Sequence, residues 1–269
     1  MRVLRALSLD VVAGAACGGL LAEHMARARM LPGWWIALLT AVWCIYTGDH
    51  LLDARRATAG PATYRRAFHR RHAKTLAAAL AAATLAGLAA AWTLRPPVRL
   101  FGVGLTAAVL AYLASAQGLI LPRLPKEPMA GLLYAAGIWG GPIVMGLGST
   151  PALLVAASLQ ALAAILNLLM VGVFETRVDL EEGHRSFALR WGRERVRGWI
   201  LTASLLGMVA AGVLVLLRPI ERDVFAILAL QIAAPMVLLV ADRWFEKNER
   251  YRYWGDSVFL LGAIPRILA

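Results

Sequence analysis

Long uninterrupted runs of apolar residues dominate this chain, and charged residues are concentrated in the connections between them. The run at 75–94 contains no charged residue in twenty positions, which is about the length that a helix needs to cross a bilayer. Bounding such runs by charge and turn residues predicts nine membrane-spanning helices. Their predicted ranges are 6–26, 31–52, 75–94, 98–120, 127–148, 151–174, 196–217, 222–241 and 252–268.

Composition supports this pattern, because 60% of the residues are hydrophobic and only 16% are charged. A soluble domain averages about half apolar and a quarter charged residues. The sequence therefore predicts an all-α, polytopic membrane protein that forms one domain over 1–269. The first apolar run carries Asp10 and lacks a convincing cleavage site, so we expect it to be retained as a helix.

Basic residues predict the orientation in the membrane. The N-terminus and the connections after spans 2, 4, 6 and 8 hold 21 of the 28 Lys and Arg residues. By the positive-inside rule these segments are cytoplasmic and the C-terminus is outside. We expect an integral protein of the bacterial inner membrane. The net charge of +12 is then explained by orientation and by anionic lipid rather than by nucleic acid, since no basic segment belongs to a soluble domain.

Two acidic pairs close predicted spans 2 and 6. Asp49 and Asp53 form the first pair, and Glu175 and Asp179 form the second. Each pair has i, i+4 spacing, which places both carboxylates on one face of a helix, and 126 residues separate the equivalent positions. This offset predicts two four-helix units followed by a final helix. The units cover about 1–120 and 127–241.

Carboxylates at a membrane boundary are costly unless they are paired, hydrated or bound to a cation. Oxygen-only ligands favour Mg²⁺, which commonly bridges carboxylates to substrate phosphates. Nearby cations would complete a polyanion site, because guanidinium and ammonium groups bind phosphate oxygens. The alternative is that the acids simply pair with these cations at the headgroup level. The predicted phosphate-binding cations are Arg56, Arg65, Arg66, Lys126 and Arg185.

Three polar residues within the apolar runs are further candidates. Tyr46 lies one turn before Asp49 on a similar face, so it either lines the cavity or packs between helices. Asn167 lies eight residues before Glu175 and faces either the substrate cavity or a neighbouring helix. Asp256 can reach the cavity from the last span, but we expect it to pair with a nearby arginine.

At the acidic pairs the chain resembles the UbiA superfamily of intramembrane prenyltransferases, which carries Asp-rich motifs at the cytoplasmic ends of helices 2 and 6. The second motif here reads ETRVDLEEGHRSFALRWG. Two departures stand out: Ile45 occupies the position of the usual Asn, and Glu175 replaces the first Asp of the second motif. The residues that match the family pattern are Asp179, Gly183, Arg185 and Ser186.

The resemblance implies nine helices that form a barrel around a central cavity, with two Mg²⁺ ions held by Asp49, Asp53, Glu175 and Asp179. It also implies that an allylic prenyl diphosphate is ionised there and that the prenyl group passes to an aromatic or lipid-like, hydrophobic acceptor from the membrane lipid phase. Two alternatives stay open. One is a terpene cyclase on the same scaffold, and the other is a non-catalytic isoprenoid- or lipid-binding protein. No feature indicates chain length, acceptor identity or oligomeric state.

Overall fold

The computed structural model describes residues 2–56, 64–118, 125–181 and 186–268. Within these ranges the chain forms helices joined by short turns and contains no β-strand. Seven of the helices are long and apolar enough to cross a membrane. The predicted all-α class is therefore confirmed, and the seven helices agree with a polytopic membrane protein.

The helices follow the predicted apolar runs closely in most of the chain. In the first half they are α1 Arg2–Ala6, α2 Leu9–Ala26, α3 Pro32–Arg56, α4 Tyr64–Arg71, α5 Ala73–Trp92 and α6 Pro96–Ala116. In the second half they are α7 Lys126–Val144, α8 Thr150–Glu181, α9 Phe187–Trp191, α10 Arg193–Leu217, α11 Arg222–Val240, α12 Asp242–Glu246, α13 Arg250–Ser257 and α14 Ile264–Leu268. Two 3₁₀ segments, Lys247–Glu249 and Val258–Ala263, flank α13.

The fifth and ninth predicted spans differ from the other seven. The fifth corresponds to α7, which has 19 residues and contains Pro142. The ninth is divided among α13, a 3₁₀ segment and α14. A side chain at Gly262 would lie 2.6 Å from the carbonyl oxygen of Cys17, so this segment packs directly on the backbone of α2. Nine membrane crossings therefore remain a prediction.

The long helix α8 is the centre of the packing and contacts α7, α10 and α11. Glycines allow these neighbours to approach closely. A Cβ at Gly131 of α7 would lie 2.8 Å from the backbone nitrogen of Ile165, and one at Gly207 of α10 would lie 2.7 Å from the side chain of Leu162. Because α7 and α8 are held together in this way, the polar ends of both helices face the same cavity.

Large apolar side chains are exposed on the outer surfaces of α5 and α10. Leu85 is 68% exposed, Leu206 is 65% exposed and Leu216 is 82% exposed. Extensive exposed apolar surface of this kind marks contact with lipid or with another protein. Together with helix lengths that match a bilayer, it indicates that these surfaces face the hydrocarbon.

Candidate active site

A cavity of about 3470 Å³ lies among the helices, and residues of α1 to α9 and of α13 line it. The walls from α5 and α6 are mainly apolar and include Leu80, Phe101 and Leu105. Polar side chains are contributed by the other helices. The acids of the two predicted motifs that line this cavity are Asp49, Glu175 and Asp179.

The first acidic motif meets the start of α7. Lys126, the first residue of α7, donates a hydrogen bond from Nζ to Oδ2 of Asp49 over 3.3 Å. The other carboxylate oxygen of Asp49, Oδ1, is buried and has no hydrogen-bond partner within the described residues. A buried acceptor left unpaired costs roughly 1–3 kcal/mol. This oxygen therefore marks a point where a cation or a hydrogen-bond donor would be stabilising.

Tyr46 lies one turn before Asp49 and lines the same cavity. It also packs against the buried core, so its ring has both an interior and a cavity-facing side. Tyr46 is therefore a wall residue of the cavity beside the first acidic motif.

Glu127 is a cavity residue that the sequence pattern did not indicate. Its Oε1 accepts a hydrogen bond of 2.8 Å from the backbone nitrogen of Phe187, at the start of α9. Ser186, the N-cap residue of α9, makes no side-chain cap, so the carboxylate of Glu127 satisfies one of the free amides of that helix. The contact fixes the chain that follows the second acidic motif against α7.

The second acidic motif is held by the C-terminal part of the chain. Glu175 forms an ion pair through Oε1 with Nη2 of Arg252. The hydroxyl of Tyr251 donates a 3.0 Å hydrogen bond to the same oxygen, and the Tyr251 ring stacks on Phe174 at a centroid distance of 4.5 Å and an angle of 8°. One oxygen of Glu175 is therefore neutralised by a guanidinium group, whereas Oε2 makes neither contact.

Asn167 and Asp256 approach each other in the same cavity. Nδ2 of Asn167 donates to Oδ1 of Asp256 over 3.4 Å, which is at the long end of the usual range. Within the described residues Asp256 forms no ion pair with an arginine, so the expected pairing is not found there. Arg252 lies on α13 one turn before Asp256, and it forms its ion pair with Glu175 of α8.

Several predicted site residues have side chains that lie outside those the structure describes. They are Asp53, Arg56, Arg65, Arg66 and Arg185. Among the side chains that are described, no three His, Cys, Asp or Glu residues lie close enough together to hold a metal ion. The donor chemistry still fits Mg²⁺, because carboxylate oxygens line one cavity and Oδ1 of Asp49 is buried without a partner.

Comparison with known proteins gives a likeness in fold. No family model and no curated protein matches the sequence. A solved structure of digeranylgeranylglyceryl phosphate synthase, studied in the context of membranes, is similar with a TM-score of 0.57 and 12% sequence identity. The match covers 98% of this chain and 100% of that protein. At this identity the likeness shows a shared fold.

Proposed function

We propose that this protein is a Mg²⁺-dependent intramembrane prenyltransferase and a divergent member of the UbiA superfamily. The observation that carries the proposal is the unpartnered carboxylate oxygen of Asp49, next to Lys126, in a cavity whose walls from α5 and α6 are mainly apolar. Such a cavity suits a molecule with an anionic head and a long apolar tail. The fold shared with digeranylgeranylglyceryl phosphate synthase supports the proposal.

The diphosphate of an allylic prenyl diphosphate binds at the Asp49 end of the cavity, and the tail lies along the apolar walls of α5 and α6. The ammonium group of Lys126 binds a phosphate oxygen as a point charge. Mg²⁺ bound by Asp49, Asp53, Asp179 and the remaining oxygen of Glu175 would neutralise charge on the departing diphosphate. Packing of the tail against these apolar walls would exclude bulk water and protect a reactive allylic cation.

Aromatic side chains in the cavity wall stabilise the allylic cation through their ring faces. Tyr46, Tyr112 and Tyr134 all line the cavity. The cation is then captured by an aromatic or lipid-like acceptor that enters from the membrane. The protein thus joins two hydrophobic substrates. It is surrounded by membrane lipid, from which the acceptor enters the cavity.

We also propose that the protein lies in a bacterial inner membrane with its N-terminus and the connections after the acidic motifs in the cytoplasm. The excess of Lys and Arg in those connections supports this orientation. It places the acidic motifs at the side where soluble prenyl diphosphates and Mg²⁺ are available.

The test is incubation of the purified protein in lipid nanodiscs with labelled prenyl diphosphates and Mg²⁺, followed by measurement of diphosphate release and product mass. Asp49→Ala and Asp179→Ala should abolish release. Glu194→Gln, which alters an exposed acid at the start of α10, is the matched control and should retain it. Unchanged turnover in both alanine variants would refute the proposed site. A cyclic product formed without an acceptor would indicate a terpene cyclase.

A further inference from the structure

A second, smaller pocket lies at the end of the helix bundle opposite Asp49. It has a volume of about 630 Å³ and is lined by the end of α2, the connection before α11, the start of α11, and α14. Its residue Glu23 contacts Met30, just before α3. Asp49, by contrast, lies seventeen residues after Pro32, the first residue of α3, which is about 25 Å along the helix. We call this second pocket the distal pocket.

The distal pocket is rich in arginine, although its side of the molecule has few basic residues. The segments that we propose to be cytoplasmic hold 21 of the 28 Lys and Arg residues, which leaves seven for the opposite side. Basic residues are normally scarce on that side, so a cluster among them points to a local role. Five of the seven lie in the distal pocket or directly next to it: Arg27, Arg29, Arg218, Arg222 and Arg266.

The acids of the distal pocket have partners of their own within the protein. Oε1 of Glu23 accepts hydrogen bonds from the backbone nitrogen of Met30 over 2.6 Å and from Nε1 of Trp35 over 3.2 Å. Oδ2 of Asp223 lies 2.6 Å from Nε2 of His24. These contacts tie the end of α2 to the starts of α3 and α11, and they hold both carboxylates in place.

Most of the arginines lack such partners. Nε of Arg218 lies 3.9 Å from Oε2 of Glu221, the third acid of the pocket. Five guanidinium groups therefore accompany three carboxylates, and an excess of positive charge remains. Guanidinium groups bind phosphate oxygens through paired N–H donors. Four arginines are exposed and form no ion pair among the side chains that the structure describes: Arg27, Arg29, Arg222 and Arg266.

Exposed apolar side chains adjoin these arginines. Ile220 lines the distal pocket and is 65% exposed, and Ile267, the residue after Arg266, is 77% exposed. Exposed apolar surface at the end of a membrane-spanning helix is available to acyl chains. A ligand of this pocket would thus meet guanidinium groups at one end and an apolar surface at the other. Free phosphate would use only the first of these.

We propose that the distal pocket binds the phosphate head group of an anionic glycerophospholipid, whose acyl chains lie against the exposed apolar side chains beside it. Clustered basic residues at a membrane surface attract anionic head groups. The bound lipid joins the end of α2, the start of α11 and α14, which are far apart in the sequence. This site is separate from the large cavity, and lipid binding there does not depend on the prenyltransferase function.

The test uses the full chain in phosphatidylcholine nanodiscs, with or without added phosphatidylglycerol. Amide hydrogen exchange is followed by mass spectrometry in peptides that cover 27–31 and 218–224. In the wild type, phosphatidylglycerol should slow exchange there about tenfold once it reaches roughly ten times its Kd. Peptides that cover 93–97, on the same side of the molecule but outside the pocket, should be unaffected.

Substitutions in the pocket should remove this protection. The double variant Arg222→Gln, Arg266→Gln should exchange at the same rate with and without phosphatidylglycerol. Arg95→Gln, which changes an exposed arginine at the start of α6, is the matched control and should keep the wild-type protection. Arg29→Gln alone should lose part of the protection, which keeps the test decisive even if the double variant does not fold.

The other results would overturn the proposal. Absence of protection in the wild type, or full protection in both the Arg29 and the double variant, would show that the distal pocket does not bind this lipid. Protection by inorganic phosphate in nanodiscs of phosphatidylcholine alone would assign the pocket to a soluble phosphate compound. None of these measurements involves a prenyl diphosphate, so each outcome leaves the proposed function to its own test.

Discussion

In the last turns of α3, Asp49 contacts Lys126 through one carboxylate oxygen, and its other oxygen is buried without a partner within the described residues. In α8, by contrast, Glu175 is held by Arg252 and Tyr251. The two acids occupy equivalent positions in motifs that have the same spacing. Spacing fixes the face of the helix on which an acid lies, but the neighbouring helices decide its charge environment. Under the proposed function Asp49 binds ligand, whereas Glu175 also holds α13 through its contacts with Arg252 and Tyr251.

The largest effect should therefore come from Asp49. Asp49→Asn removes the charge beside Lys126 and should lower the rate of diphosphate release by about 10²–10³-fold. Glu175→Gln removes a charge that Arg252 already neutralises and should cost less than about tenfold, below the usual range for an essential electrostatic group. Release is measured in nanodiscs at saturating Mg²⁺. Equal losses in the two variants would show that the motifs contribute alike.

Lys126 tests whether the first motif binds the diphosphate. Lys126→Met should raise KM for the prenyl diphosphate about tenfold, because the loss of one charge-assisted hydrogen bond is worth roughly 1.5 kcal/mol. Lys247→Met changes an exposed lysine outside the cavity and is the matched control. A KM that is unchanged in the Lys126 variant would assign this lysine a role in holding Asp49 only.

The helical class could be predicted from sequence because a bilayer imposes one length on every crossing helix. Seven predicted ranges correspond to long apolar helices. The ninth range could not be predicted in detail, since apolar composition alone does not distinguish one long helix from short pieces. Close contact of Gly262 with Cys17 is a tertiary feature that leaves no local pattern. The division into two four-helix units remains a prediction.

The site was predictable to the extent that it depends on local spacing. Asp49, Glu175 and Asp179 line one cavity, and the i, i+4 spacing that marks these positions is visible in the sequence. The contacts that hold the cavity wall join residues far apart in the chain: 76 residues separate Glu175 from Tyr251, and 60 separate Glu127 from Phe187. No periodicity links such positions.

Arg252 tests the anchoring role of the second motif. Its side chain is 23% exposed and that of Glu175 is 14% exposed, so the pair is only partly desolvated. Arg252→Gln should lower the free energy of unfolding by about 1–3 kcal/mol, less than the loss for a fully buried pair. Adding Glu175→Gln should restore part of the loss, since the uncompensated carboxylate is then removed. Equilibrium unfolding in detergent micelles measures both variants, and additive losses would argue against the pairing.

Tyr251 should give the smallest effect and separates the two contacts of its side chain. Tyr251→Phe removes the 3.0 Å hydrogen bond to Glu175 but keeps the stack on Phe174, so it should cost about 1 kcal/mol of unfolding free energy. Tyr251→Leu also removes the stack and should cost roughly 0.5–1.5 kcal/mol more. The same unfolding measurement compares them. If the Phe variant were as stable as the wild type, Glu175 would be held by Arg252 alone, and the difference between the two motifs would be purely ionic.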